Sequence, residues 1–222
     1  MTIMIADPRA FILENTRLQP VPFVPEIVLH LADESVPLWR KTEEEIGADG
    51  LPPPYWAFAW AGGQALARYV LDHAEQLRGA RVLDLAAGSG LVGIAAARAG
   101  AAPVVSVDID AFAEAAMVIN GEANDVYLDI HIIDPLDGPA PPGPRYDVIL
   151  VGDLFYERDT ATRALAFLTR HAAVGTRVII GDPGRAYLPR ERRVKACEYA
   201  VPVTRELEDQ DIKRTSVWRL DS

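Results

Sequence analysis

The sequence predicts an α/β protein: a seven-stranded, mostly parallel sheet with helices on both faces, an antiparallel C-terminal strand pair and an N-terminal extension. Three observations predict it. Short apolar runs alternate with helical periods from residue 82 to residue 180, which implies βαβ units and a parallel sheet. That rhythm then gives way to two strand-like runs joined by a polar loop. Ahead of the regular part, prolines crowd residues 20–25 and 52–54, so the extension is assigned to residues 1–54 and the main domain to 55–222.

Asp7-Pro8 reads as a helix start, with Asp as N-cap and Pro at the first helical position, and the helix is expected to reach about Arg17. Pro20, Pro22 and Pro25 hold the chain extended. Residues 26–31 read as a short strand packed on the edge of the main domain. Residues 42–45 are an acidic face or a short helix, and 51–54 a rigid linker. Tyr55-Trp-Ala-Phe-Ala-Trp-Ala-Gly-Gly63 sets four large aromatics among small residues, either as core or as a wall over a ligand. A helix follows over 64–77. Strands are then expected at 82–85, 104–107, 128–133, 147–151 and 177–180, with helices at 91–99, 111–124 and 158–171. Residues 190–197 look helical, and 199–203 and 215–220 form the antiparallel pair.

Arg81-Val-Leu-Asp-Leu-Ala-Ala-Gly-Ser-Gly-Leu-Val-Gly93 reads as a buried strand, a turn of small residues and a helix. Gly88 and Gly90 can take backbone angles closed to other residues and let a ligand approach the main chain. That ligand belongs outside the carboxyl end of the strand, against the helix N-terminus. Gly88, Gly90 and Gly93 spell the G-x-G-x-x-G of Rossmann-like dinucleotide sites. Asp108, 20 residues beyond Gly88, ends a second apolar run and suits ribose hydroxyls. NAD and S-adenosylmethionine both contain adenosine, so both fit so far. Asp84 separates them: a carboxylate inside the strand is unwelcome beside a pyrophosphate and useful near the cationic amino-acid end of S-adenosylmethionine.

The formal charge of −10 argues against broad binding to phosphate backbones and favours a neutral or basic partner, although acidity also simply keeps a protein soluble. Cys197 is the only cysteine, so no intramolecular disulfide is possible. His30, His73, His131 and His171 lack metal-ligand spacing, and no metal is expected. No apolar run approaches a membrane span and no signal peptide is evident, so a cytoplasmic protein is expected.

Asp153-Leu-Phe-Tyr156 follows the strand at 147–151, where a substrate would meet a ligand held in the sheet crevice. Asp153 can accept hydrogen bonds from an amine, and Tyr156 can flank the alkyl stem. The plainer reading is a loop whose Asp153 caps the next helix. A lysine amine has a pKa near 10.4, so making it neutral at pH 7 costs roughly 4.6 kcal/mol. Desolvation and a nearby sulfonium lower that cost, whereas Asp153 raises it. Its main role would be alignment of the amine.

Taken together, these segments resemble the seven-strand lysine methyltransferases of methyltransferase family 16, and more closely the electron-transfer-flavoprotein beta-subunit lysine methyltransferases and their bacterial relatives. The segments that carry the likeness are Pro25-Glu-Ile-Val-Leu-His-Leu31, the stretch from Pro54 to Leu66, the glycine turn, Val107-Asp-Ile-Asp110, Gly152-Asp-Leu-Phe-Tyr156, Gly181-Asp-Pro-Gly-Arg185 and Ser216-Val-Trp218. The resemblance implies that Asp84 and the backbone from Ala86 through Gly88 to Gly90 hold the methionine portion of S-adenosylmethionine, with Trp60 packing nearby. It implies Asp108 on the ribose, Asp134 near the adenine, and Asp153 with Tyr156 as the lysine site. The implied substrate is the electron transfer flavoprotein beta subunit, with ribosomal protein L7/L12 as a further one, and a monomer is expected. Ala61 departs from the family's Trp-Pro-Gly-Gly turn, which bears on that turn's rigidity.

Three rival readings meet objections in the sequence. A nucleic-acid amino-methyltransferase would use a loop like Pro52-Pro-Pro-Tyr55, but Leu51 and Pro52 offer no polar side chain to a base amine, and the acidic charge opposes it. An NAD-dependent oxidoreductase is opposed by Asp84 and the antiparallel ending. A non-enzymatic binding module would have little use for Asp84, Asp108 and Asp153 together.

Overall fold

In a computed structural model, the described residues are 7–33, 53–138, 140–203 and 210–221. The expected acidic segment at 42–45 and residues 51–52 of the linker lie outside them. Helix α1 (Pro8–Asn15) begins at Asp7, whose Oδ1 accepts the Ala10 N–H, and stops two residues short of Arg17. Strands β1 (Arg17–Val21) and β2 (Val24–Leu31) pair antiparallel. The region expected as an extended connection and an edge strand is thus a hairpin forming its own two-stranded sheet. Pro20 pairs with Val28, and the register shifts at Pro20/Val21 as the chain turns.

The main sheet contains β3 (Val82–Leu85), β4 (Val104–Asp108), β5 (Asp129–Ile132), β6 (Val148–Gly152), β7 (Arg177–Asp182), β8 (Arg193–Pro202) and β9 (Ile212–Leu220). Its order is β5-β4-β3-β6-β7-β9-β8. The first five run parallel, and β9 is antiparallel to both β7 and β8. Chain order reverses between β3 and β6, which opens a crevice beyond their carboxyl ends. Helices α2 (Ala61–Asp72), α3 (Leu91–Arg98), α4 (Ala111–Ala123) and α5 (Arg158–Ala173) connect the strands.

One expectation fails outright. Residues 190–197 are not helical: β8 begins at Arg193, which pairs with Leu220. A bulge between Lys195 and Cys197 puts an extra residue into the strand. That breaks the two-residue alternation by which a strand is read from sequence. The two final strands are accordingly longer than expected.

The central strands alternate between two cores. Val148 and Leu150 of β6 face a cluster with α2, α3, α4 and the hairpin, while Ile149 and Val151 face one with α5. Each such buried aliphatic side chain is worth about 1.5–3 kcal/mol relative to exposure. The hairpin is tied to the main domain by two buried asparagines, Asn120 of α4 and Asn124 at that helix's C-cap. Asn124 accepts the Val28 N–H at 3.1 Å, and Asn120 accepts that of His30 at 2.8 Å. Asn120 also donates to the Ser89 carbonyl at 2.8 Å, which links the hairpin to the glycine turn.

Candidate active site

Residues 86–90 make the turn between β3 and α3. Ala86, Gly88 and Gly90 all have positive φ, at 57°, 51° and 81°. Ala86 holds the left-handed conformation without glycine's freedom, a strain that concentrates where backbone is shaped for a ligand. Gly90 is the N-cap of α3 and offers no side-chain cap. Asp84, inside β3, supplies one instead: its Oδ2 accepts the Gly93 N–H at 2.8 Å. Gly93 must be glycine, since a Cβ would fall 2.7 Å from Ser106 Oγ.

Asp108, at the end of β4, accepts the N–H of Gly88 at 2.8 Å, of Ile109 at 2.7 Å and of Asp110 at 3.0 Å. Burial pushes the Asp84 carboxyl up to about 7, with the Asp108 charge adding to the effect and the Gly93 hydrogen bond opposing it. Burial likewise pushes Asp110 up to about 6 and raises Asp108 against its three N–H partners. Crowded carboxylates that ionise reluctantly are brought back down by a bound cation.

The second cluster lies across the crevice. Asp153 follows β6 at φ 54°, and its N–H donates to the Gly181 carbonyl at 3.0 Å. Its Oδ2 accepts the Gly63 N–H at 3.0 Å, and its Oδ1 accepts Arg185 Nε at 3.1 Å and Nη2 at 2.8 Å. Gly63 is the third residue of α2, so Asp153 serves as that helix's distant N-cap. It does not cap the helix that follows it, whose N-cap is Glu157.

This arrangement needs backbone against backbone. A Cβ on Gly62 would collide with the Gly181 carbonyl and Asp153, and one on Gly181 would collide with the Gly62 carbonyl. The tryptophan–glycine stretch, Gly152-Asp153 and Gly181-Asp182 are thus parts of one contact. Ala61 is the first residue of α2, where proline is tolerated because that N–H needs no intrahelical partner. The turn forms with alanine in place.

Trp60 is the N-cap of α2 and donates its indole N–H to the Tyr55 carbonyl at 2.9 Å. Tyr55 lies 5.7 Å from Trp60 and 5.4 Å from Tyr156 between ring centroids. Tyr156 is 43% exposed at the mouth, and burial of its hydroxyl beside Tyr55 raises its pKa. Asp134, just past β5, accepts the Leu136 N–H at 3.0 Å and pairs with Arg163 of α5.

One cavity of about 570 Å³ gathers Trp60, Asp84, Ala86, Gly88, Asp108, Asp134, Asp153 and Tyr156. Gly90 lies in the turn beneath it. Tyr55 and Phe58 line it too, as the wall reading of the aromatic stretch expects, whereas Ile109, Arg163 and Arg185 join the wall without having been given a role from the sequence. Arg185 could have been found through its place in Gly181-Asp-Pro-Gly-Arg185. Arg163 sits on a helix face with no motif around it. Among the described residues, no group of three or more His, Cys, Asp or Glu could hold a metal ion, and no helix is long and apolar enough to cross a membrane.

A family model for ribosomal protein L11 methyltransferase matches residues 64–154, from α2 through the glycine turn to Asp153. The electron transfer flavoprotein beta subunit lysine methyltransferase of Xenopus laevis is 36% identical over 220 residues, covering 96% of this chain and 87% of that one. The chain belongs to the electron transfer flavoprotein beta subunit lysine methyltransferase family. The Homo sapiens member is 34% identical over 219 residues, covering 95% of this chain and 80% of its own. Among solved structures, ribosomal protein L11 methylase from Lactobacillus delbrueckii subsp. bulgaricus superposes with a TM-score of 0.52 at 18% identity. That match covers 74% of this chain and 81% of the other. Magnesium protoporphyrin IX methyltransferase from Synechocystis PCC 6803 gives 0.52 at 20% identity, covering 72% and 80%. These last two likenesses concern the fold.

Proposed function

We propose that this chain is an S-adenosylmethionine-dependent protein-lysine N-methyltransferase whose acceptor is the electron transfer flavoprotein beta subunit. The observation that carries the reading is the meeting, in one cavity, of the carboxylate-rich glycine turn with the Asp153–Tyr156 cluster. The family's named activity supports the acceptor class.

The donor set fits S-adenosylmethionine better than a dinucleotide. Beside the turn stand Asp84, Asp108 and Asp110. The lining cations among the described residues, Arg163 and Arg185, are both engaged elsewhere, on Asp134 and Asp153. A pyrophosphate would meet carboxylates there, whereas an ammonium would be welcomed. Asp84 and the backbone of residues 86–90 would hold the amino-acid end, with Trp60 nearby. Asp108 would take the ribose hydroxyls, and Asp134 would border the adenine. The chemistry supplied by the bound cofactor is an electrophilic methyl: the N–C bond forms as the C–S bond breaks, and that electron pair stays on sulfur.

The chain's own residues then have three tasks. Asp153 sets the heading of the acceptor nitrogen, Tyr156 and Tyr55 flank the lysine stem, and the aromatic wall excludes water. The acceptor ammonium loses its proton to solvent before transfer. Ribosomal protein L7/L12 is proposed as a second acceptor, although the matched family model is named for a methyltransferase of a different ribosomal protein, L11. Action as a monomer is part of the proposal, and the single cysteine suits a cytoplasmic setting.

The test is transfer from labelled S-adenosylmethionine to the purified electron transfer flavoprotein beta subunit of the same cells. Label on its lysine side chains is expected. Label absent there but present on lysines of another protein would reassign the acceptor within the same chemistry.

A further inference from the structure

The lysine-transfer reading leaves a physical problem at Asp153. A lone carboxylate beside an ammonium stabilises the protonated, unreactive form. Among the described residues, the titratable and charged groups around the acceptor position are Asp84 from β3, Asp108 from β4 and Tyr55 from the turn before α2. Tyr156 and Glu157 add to these from the loop into α5, as do Asp182 and Arg185 from the end of β7, while Asp110 after β4, Asp134 after β5 and Arg163 of α5 line the same cavity. The ionised carboxylates among these groups would each hold the amine protonated.

Of the two cations in the lining among the described residues, Arg163 pairs with Asp134 and Asp137, and Arg185 is the one joined to Asp153. Its guanidinium lays Nε and Nη2 on one oxygen of Asp153, at 3.1 and 2.8 Å, and lies 5.9 Å from the Trp60 ring centroid. The ion pair is largely removed from water, with side chains 21% and 10% exposed. Its backbone is also fixed: buried Asp182 accepts the N–H groups of Gly184 and Arg185 at 2.6 and 2.7 Å. The cation is built into the cavity wall by the same loop that ends β7.

We propose that Arg185 is a positioning residue for the transfer: it holds the Asp153 carboxylate on one heading and cancels its charge, so that the acceptor lysine is delivered as the neutral amine. The inference rests on the lysine-transfer reading. The proton leaves the ammonium for solvent water, and the freed lone pair becomes the one that forms the N–C bond.

The test compares kcat/KM for lysine methylation from about pH 6 to about pH 10 in wild type, Arg185→Gln and Arg185→Lys. It adds a measurement without turnover. The acceptor protein is titrated calorimetrically into enzyme saturated with S-adenosylhomocysteine, in two buffers of different ionisation enthalpy, which counts the protons released on docking. In Arg185→Gln the acidic limb should move up by about one to two pH units, so activity at pH 7 falls about 10–100-fold and recovers in alkali. That variant should also release fewer protons on docking. Arg185→Lys should keep the wild-type limb with a lower plateau, because an ammonium carries the charge without the fork.

A loss in Arg185→Gln that is uniform across pH, with wild-type proton release, would overturn the inference. So would an Arg185→Lys limb displaced from the wild-type position, which covers the case in which Arg185→Gln fails to fold. Absence of lysine methylation by the wild-type protein would contradict the underlying reading instead. S-adenosylhomocysteine affinity, expected unchanged in both variants, separates these outcomes from a collapsed site.

Discussion

The Asp153 carboxylate accepts the Gly63 N–H at 3.0 Å, joining residues 90 positions apart. Asp84 does the same for Gly93 at 2.8 Å. Each carboxylate comes from the carboxyl-end region of a parallel strand, and each satisfies the third N–H of a helix that starts at the crevice. The acids that a ligand would meet are thus held in place by the helices that they cap.

That double duty separates two substitutions at one position. Asp153→Ala should destabilise the protein by at least about 1–2 kcal/mol in urea unfolding, the usual cost of losing a cap, with the stranded Arg185 cation adding to it. Asp153→Asn keeps an acceptor for Gly63 and should cost less. Both should retain S-adenosylhomocysteine binding and lose lysine methylation by at least about 100-fold, because the amine loses its heading. Normal turnover in either variant would remove Asp153 from the mechanism.

Asp108 shapes the glycine turn through Gly88 and would also take the ribose hydroxyls. Asp108→Ala should therefore weaken S-adenosylhomocysteine binding by about 10–100-fold, the size of one or two hydrogen bonds to a charged group. Unchanged affinity by titration calorimetry would refute the role.

Two adjacent glycines should respond in opposite directions. A Cβ on Gly62 runs into Asp153 and the Gly181 carbonyl, so Gly62→Ala should cost at least about 1–3 kcal/mol. On Gly63 the nearest atom to a Cβ is Leu91 Cδ2, at an ordinary 3.8 Å. Gly63→Ala should gain about 0.5–1 kcal/mol from helix propensity. Thermal unfolding of the two variants checks the pair, and equal effects would contradict the packing described.

Asp84 gives a pH signature. Its carboxyl is pushed up to about 7 by burial, whereas the unfolded value is near 3.9. The native state therefore holds a proton that the unfolded chain releases. Stability from this group falls as pH rises from about 4 to about 7 and is level above. Asp84→Asn should abolish that fall, leaving the ligand-free variant more stable than wild type above pH 7 by on the order of 2–4 kcal/mol. It should also bind S-adenosylhomocysteine less tightly. A stability difference equal at pH 5 and pH 8 would show that Asp84 does not titrate in this range.

The parallel strands were legible because each is a short apolar run between a turn and a helical period, and a strand covered on both faces leaves that trace. β8 was not legible: it lies at the sheet edge, and its bulge at Lys195/Cys197 disrupts the alternation that marks a half-buried strand. The hairpin was half legible, since prolines gave extended backbone but not the turn at Val21 that pairs Pro20 with Val28. In the site, Asp84 could be found from its place inside an apolar run, and Asp108 and Asp153 from theirs at the ends of such runs. Their partners could not, because the Gly63–Asp153 and Arg185–Asp153 contacts join distant segments by side-chain geometry.

Methyl transfer into an extract of source cells lacking this protein tests the central claim most directly. Labelled S-adenosylmethionine and the purified chain are added to nuclease-treated and untreated halves, and labelled bands are identified by mass spectrometry. Label on lysines of one or two proteins, indifferent to nuclease, is the predicted result. Label lost with nuclease treatment, or none in an extract that supports another methyltransferase, would contradict it.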